Sequence, residues 1–225
     1  MSYQNGPRIV TNGLVLCLDA GNSKSYAGSG TSWTDLSGNG NNGTLTNGPT
    51  YSSANKGSIS FDGVDDYIDI SKQILKNRTE FTINITFFTS TLAGVLINEG
   101  NSSNVGVSWW LAAGTNATIL QFGDGTNNSY SNSTITLSQN VWTNICFTYQ
   151  NKTGTTYVNG ISQRTYTNTN EISWHISNTT KLCTRESAAS SFSNARVSNL
   201  HIYNRALSAS EILQNYNATK GRFGL

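Results

Sequence analysis

The stretch Ser58-Ile59-Ser60-Phe61-Asp62-Gly63-Val64-Asp65-Asp66-Tyr67-Ile68-Asp69-Ile70 reads as two short strands around an acidic turn. Apolar runs flank Asp62-Gly63-Val64-Asp65-Asp66, where Gly relieves the backbone and carboxylates can bond nearby N–H groups. Upstream lies Trp33-Thr34-Asp35-Leu36-Ser37-Gly38-Asn39-Gly40-Asn41-Asn42-Gly43, dense in turn formers. Near the other end, Ala195-Arg196-Val197-Ser198-Asn199-Leu200-His201-Ile202-Tyr203 reads as one more strand, followed by Asn204-Arg205-Ala206-Leu207-Ser208. Taken together, these distant segments open and close one β-sandwich.

Between them, short runs of β-branched and aromatic residues recur, separated by Gly, Asn, Ser and Thr, which is the spacing of a sandwich or barrel. Phe81, Ile83, Ile85 and Phe87 alternate with Thr82, Asn84 and Thr86, the period of a strand buried on one face. Trp142 to Tyr149 reads similarly, and Asn159-Gly160 supplies a hairpin turn that needs positive φ. A chain of 225 residues with no internal linker fits one all-β domain. Spacing and length lead to one all-β sandwich or barrel over residues 13–225, with one short C-terminal helix at about 208–217.

Ser208-Ala209-Ser210-Glu211 is a capping box, with Leu207 and Ile212 placed for the hydrophobic staple. Ile212, Leu213 and Tyr216 give the helix an apolar stripe that should lie on the sandwich and close one end of its core. Residues 1–12 contain Pro7 and little to bury, so they are expected to form an N-terminal arm ordered by a neighbour.

Charged residues make up only 12 % of the chain, and Asn, Ser, Thr and 21 Gly fill the difference. A formal net charge of +2 with scattered Lys and Arg provides no basic stripe, which argues against a nucleic-acid partner. No apolar stretch is long enough to span a bilayer, and no basic-then-apolar signal region opens the chain. Cys17, Cys146 and Cys183 are too few for a disulfide framework and are read as small core residues.

The two end segments together resemble the laminin-G-like, concanavalin A-like jelly-roll family, in which terminal strands from both ends of the chain pair in one sandwich. The resemblance covers roughly residues 13 to 220 and implies an all-β, two-sheet antiparallel jelly-roll sandwich. The opening Asn5-Gly6-Pro7-Arg8-Ile9-Val10-Thr11-Asn12-Gly13-Leu14 and the closing Lys220-Gly221-Arg222-Phe223-Gly224-Leu225 are similar to those of stand-alone versions among tailed-phage structural proteins, particularly marine ones. That likeness implies a virion-surface protein assembled in the host cytoplasm: a head decoration, head fibre or tail-associated adhesin. Its partners would be other virion proteins, further copies of itself and host-surface glycans. A secreted or surface-attached carbohydrate-binding module is the alternative, and the missing signal region counts against it.

The fold also serves glycanases, whose chemistry requires a specific carboxylate arrangement. Retaining members need two carboxylates about 5.5 Å apart, readily placed at i and i+4 on one strand face. Glu80, Glu99, Glu171, Glu186 and Glu211 are isolated from one another, and the Asp65 to Asp69 pair lies in the family's structural motif. His175 and His201, the two histidines, adjoin no cysteine in sequence, and His201 is expected to face outward. Gly38 to Gly43 lacks the Lys-Ser/Thr of a phosphate loop. No catalytic residue is assigned.

Two binding candidates follow. Asp62, Asp65 and Asp66 offer hard oxygen ligands of the kind calcium prefers, against the simpler reading of carboxylates that hold a turn. Trp109 and Trp110 must point to opposite faces of a strand, so one of them can present an aromatic plate to a sugar, with Asn127, Asn128 and Tyr130 as hydroxyl partners. Trp174 is a second exposed candidate.

Overall fold

The computed structural model describes residues 7–100, 105–112, 117–124, 135–167, 170–174, 179–185 and 191–225, with backbone pairing alone at 105, 108–112 and 117–124. They build two antiparallel sheets of eight strands each. The first sheet runs in the order β14 (Ile161–Thr167), β13 (Thr153–Val158), β12 (Trp142–Gln150), β7 (Glu80–Phe88), β16 (Asn194–Tyr203), β5 (Ser58–Asp62) and β4 (Thr50–Ser52), with β1 (Leu14–Asp19) also on β16. The second runs β11 (Ile135–Thr136), β10 (Ala117–Asp124), β9 (Val105–Ala112), β8 (Gly94–Gly100), β15 (Lys181–Leu182), β6 (Tyr67–Asp69), β3 (Gly43–Thr46) and β2 (Ser32–Trp33). The expected two-sheet antiparallel jelly-roll sandwich is therefore observed.

Strand β16 joins the two ends of the chain. Its first half pairs with β5, Arg196 opposite Ser60, and its second half pairs with β1, His201 opposite Cys17. Along its other edge it pairs with β7 through a bulge between Val197 and Asn199. Between the sheets lies one core in which Trp33, Ile59, Phe81, Ile83, Ile85, Tyr149, Leu182, Leu200 and Ile202 are fully buried. The β13–β14 hairpin turns through Asn159 and Gly160 at φ 51° and 78°, the positive pair that the sequence Asn-Gly supplies.

One expectation is corrected here. The middle of the first sheet is buried on both faces: Thr82, Asn84 and Thr86, which alternate with the inward apolar residues of β7, are all at 0 % exposure. The cover is the C-terminal segment, made of helix α1 (Ala209–Thr219) and a 3-10 turn at Lys220–Arg222. It lies across the outer face of the sheet instead of closing an end of the core. Ile212, Leu207, Tyr203, Tyr157, Cys146 and Val10 form a second, smaller core between helix and sheet, and the Phe223 ring packs tilted against Trp142 at 4.7 Å and 36°.

The helix begins as the capping box requires. Ser208 accepts from the Glu211 N–H at 3.3 Å, and the Ser208 N–H donates to the Glu211 carboxylate at 2.9 Å. Arg205 grips the same carboxylate at 2.6 and 3.0 Å and holds it down to about 2, well below its ordinary range. The second half of the arm also departs from expectation, because it packs onto this helix. The Val10 side chain is buried, its N–H donates to Asn215 at 2.8 Å, and its carbonyl accepts from the Tyr203 hydroxyl at 3.0 Å. No helix among the described residues is long and apolar enough to cross a membrane.

Candidate functional site

The acidic turn behaves as a turn. The Asp62 carboxylate accepts the Val64 N–H at 2.8 Å and the Asp65 N–H at 3.4 Å, and Asp66 accepts the Asp62 N–H at 3.1 Å. One oxygen from each of Asp62, Asp65 and Asp66 falls within 4.8 Å of the others, so the three converge as the sequence indicated. Asp66 is 5 % exposed, and burial raises its carboxyl against the Asp62 N–H. Two of the three carboxylates are thus engaged in local backbone bonds.

Among the sugar-stacking candidates, Trp109 and Trp110 occupy consecutive places on β9, opposite Leu120 and Ile119 of β10. Their side chains, and all of Asn127, Asn128 and Tyr130, lie outside the described residues, as does His175. Trp174 is not an exposed plate. It is half-buried against the core, with its ring edge-on to Phe81 at 6.3 Å and 70°.

His201 is likewise not outward-facing to solvent. It is 2 % exposed, beneath the C-terminal segment, and Asn84 Nδ2 sits 3.4 Å from its Nδ1. Although no cysteine adjoins it in sequence, Cys17 is its cross-strand partner. The pair borders a cleft of about 860 Å³ between residues 7–11, β1 and the C-terminal tail. Burial pushes His201 down to about 4 and the Cys17 thiol up to about 12. Both groups are therefore neutral near pH 7, the opposite of the thiolate–imidazolium pair that nucleophilic cysteine chemistry needs. Asp19 and Arg222 close the floor of the cleft with a 2.8 Å ion pair, and Arg222 also reaches Ser198 at 3.0 Å.

Glu99 is a residue whose role sequence spacing did not reveal. It is 2 % exposed, and its carboxylate accepts the Ile74 and Leu75 N–H groups at 2.8 and 2.9 Å and the Thr180 hydroxyl. Burial raises it to about 7, against those hydrogen bonds, which favour the charged form. Its work is to fasten the 71–78 loop and residue 180 to β8. Asp69 is similarly tied, to Lys181 at 3.0 Å and the Ser71 N–H at 2.7 Å.

A smaller pocket of about 220 Å³ opens on the outer face of the first sheet, beyond the reach of the helix. One register row runs through it, Phe88 opposite Arg196 and Arg196 opposite Ser60, and Trp142 continues the row beside Phe88, outside the pocket lining. The Arg196 guanidinium lies over the Phe88 ring at 3.9 Å and 5.7 Å from the Trp142 ring. Ser60, Phe61, Thr89, Ser90, Asn194 and Ala195 complete the wall. Thr89 is already committed, donating to backbone carbonyls of Thr91 and Asn194. Alternation alone would have placed Phe88 and Arg196 on the outer face, because Phe87, Ala195 and Val197 beside them face the core.

Comparison with known proteins puts this geometry in a family. No curated protein sequence matches the chain. Among solved structures, domain 4 of AbnA, a GH43 extracellular arabinanase from Geobacillus stearothermophilus in complex with arabinotriose, superposes with a TM-score of 0.73 at 16 % identity, covering 90 % of this chain and 98 % of that one. The binding domain of botulinum neurotoxin DC in complex with SialylT gives 0.71 at 14 % identity, over 93 % of this chain and 52 % of that one. The binding domain of Paraclostridial Mosquitocidal Protein 1 gives 0.71 at 20 % identity, over 92 % and 52 %. The chain spans about half the length of these two toxin domains, and identities this low establish a shared fold. The sequence itself matches a family model over residues 62–213, from the acidic turn to the capped helix, and on that match the chain belongs to the concanavalin A-like lectin/glucanases superfamily.

Proposed function

We propose that this protein is a non-enzymatic carbohydrate-binding module that holds a glycan in the pocket of Phe88 and Arg196. The observation that carries the reading is the pocket's composition: a stacked guanidinium beside two serine hydroxyls and an asparagine amide. Donors and acceptors at this density suit the hydroxyls of a sugar ring. The arabinanase domain solved with arabinotriose and the toxin domain solved with SialylT share the fold, which supports a saccharide as the ligand class. Binding without cleavage is supported by the engagement of Glu99, Asp69, Asp62 and Asp66 in structural hydrogen bonds, since a catalytic carboxylate must be available to its substrate.

The resemblance of the chain's two ends to tailed-phage structural proteins supports display on a virion, with particle proteins and copies of the chain as neighbours. Mass spectrometry of purified particles tests that placement, and absence of the chain from them would reject it. For the binding activity, the direct test is a glycan array paired with a reducing-sugar assay. The reading expects bound glycan without released sugar. Cleavage that disappears on Glu99→Gln or Asp69→Asn, in proteins that remain folded, would overturn the non-enzymatic part.

A further inference from the structure

Resting on that carbohydrate reading, we propose that the pocket selects sugars bearing a carboxylate, with Arg196 as the group that reads the charge. Among the described residues, the ion-paired cations each have an acid: Arg205 has Glu211, Arg222 has Asp19 and Lys181 has Asp69. Arg196 has two aromatic rings instead, and no acid partner among the described residues. The nearest acidic position along β5 is Asp62, two residues beyond Ser60, and its Oδ1 is already held by the Val64 and Asp65 N–H groups.

Stacking decides what the guanidinium can still do. Phe88 covers one of its planar faces at 3.9 Å, while the N–H donors lie in the plane, at the edge, and stay available. That edge is a rigid fork that matches a carboxylate with two parallel hydrogen bonds. Because the rings hold the plane, little rotamer freedom is lost when an anion docks. A hydrophobic ligand would leave this charge desolvated without compensation, and a neutral sugar would use the fork only partly. The side chains of Ser60, Ser90 and Asn194 have no hydrogen bond among the described residues and are placed to meet the ring hydroxyls. A volume of about 220 Å³ accommodates one sugar ring with its acid group.

Calorimetry with sialyllactose against lactose, and with galacturonate trimer against galactotriose, tests the proposal on the full chain. The expectation is acidic sugars bound at least about tenfold more tightly than their neutral counterparts, with the gap shrinking as salt rises. Arg196→Gln, shown to be folded by circular dichroism, should erase the gap between acidic and neutral sugars, whatever it does to the neutral affinity itself. Arg196→Lys should restore only part of it, since a point charge lacks the fork. An unchanged gap in Arg196→Gln, or equal affinity for acidic and neutral sugars in the wild type, would overturn the proposal while leaving carbohydrate binding intact. Sulfated lactose binding as tightly as sialyllactose would overturn the carboxylate assignment. Failure to bind any acidic or neutral glycan would remove the carbohydrate reading as well.

Discussion

Glu99 and His201 are buried ionisable groups with opposite consequences for stability. Glu99 rises from 4.5 to about 7 on folding. Between those values the native state keeps a proton that the unfolded chain has lost, so this contribution is present at low pH and is lost as pH rises through about 7. His201 falls from 6.5 to about 4, so its contribution is full above 6.5 and is lost as pH falls through about 4. The two windows overlap between about 4.5 and 6.5, where the slopes oppose each other, so single variants separate them. Melting temperature should rise with pH through this window in Glu99→Gln, which keeps the His201 contribution, and fall with pH in His201→Gln, which keeps the Glu99 contribution. Variants that reproduce the wild-type profile would show that neither group is held as described.

At the scale of elements, the helix start and the acidic turn make separate predictions. Ser208→Ala removes the acceptor for the Glu211 N–H and should cost about 1 kcal/mol in urea denaturation; an unchanged midpoint would mean that the Arg205–Glu211 pair holds the first turn by itself. Asp62→Ala should destabilise the protein equally with chelator and with millimolar calcium, because the Asp62 carboxylate serves Val64 and Asp65 N–H groups. A melting temperature that climbs with the logarithm of calcium concentration would instead assign a metal to the three aspartates.

The elements differ in how plainly sequence announces them. The capping box, the Asn159-Gly160 turn and the pairing of the chain's ends were all legible, because each rests on local residue chemistry or a specific end motif. What covers the outer face of the first sheet was not. Alternation in β7 separates Phe81, Ile83 and Ile85 from Thr82, Asn84 and Thr86, but it does not say that a segment more than a hundred residues away will bury the second set. His201 was misread for the same reason. The Phe88–Arg196 row was hidden differently, since cross-strand neighbours are set by register, which no single strand reveals.

For the whole molecule, the two chain ends act as one cover. Val10, Arg8 and Asn12 give carbonyls or an N–H to Tyr203, Gln214, Arg205 and Asn215, beside the apolar contacts of Val10. Removing residues 1–6 keeps all of these contacts. Deleting 1–12 uncovers Val10's site and strands buried polar groups, at a cost of roughly 2–4 kcal/mol. Equal denaturation curves for the two truncations would place the arm outside the folded unit and return it to an arm ordered only by a neighbour.

The central claim, a saccharide held at the Phe88–Arg196 row, is tested most directly by nitrogen-edited NMR during a titration with sialyllactose. The account predicts saturable shifts at the Arg196 side-chain Nε–H and at the amides of Ser60, Phe88 and Asn194. Saturable shifts centred on Trp109 and Trp110 with Arg196 unmoved, or no shifts with any glycan, would contradict it.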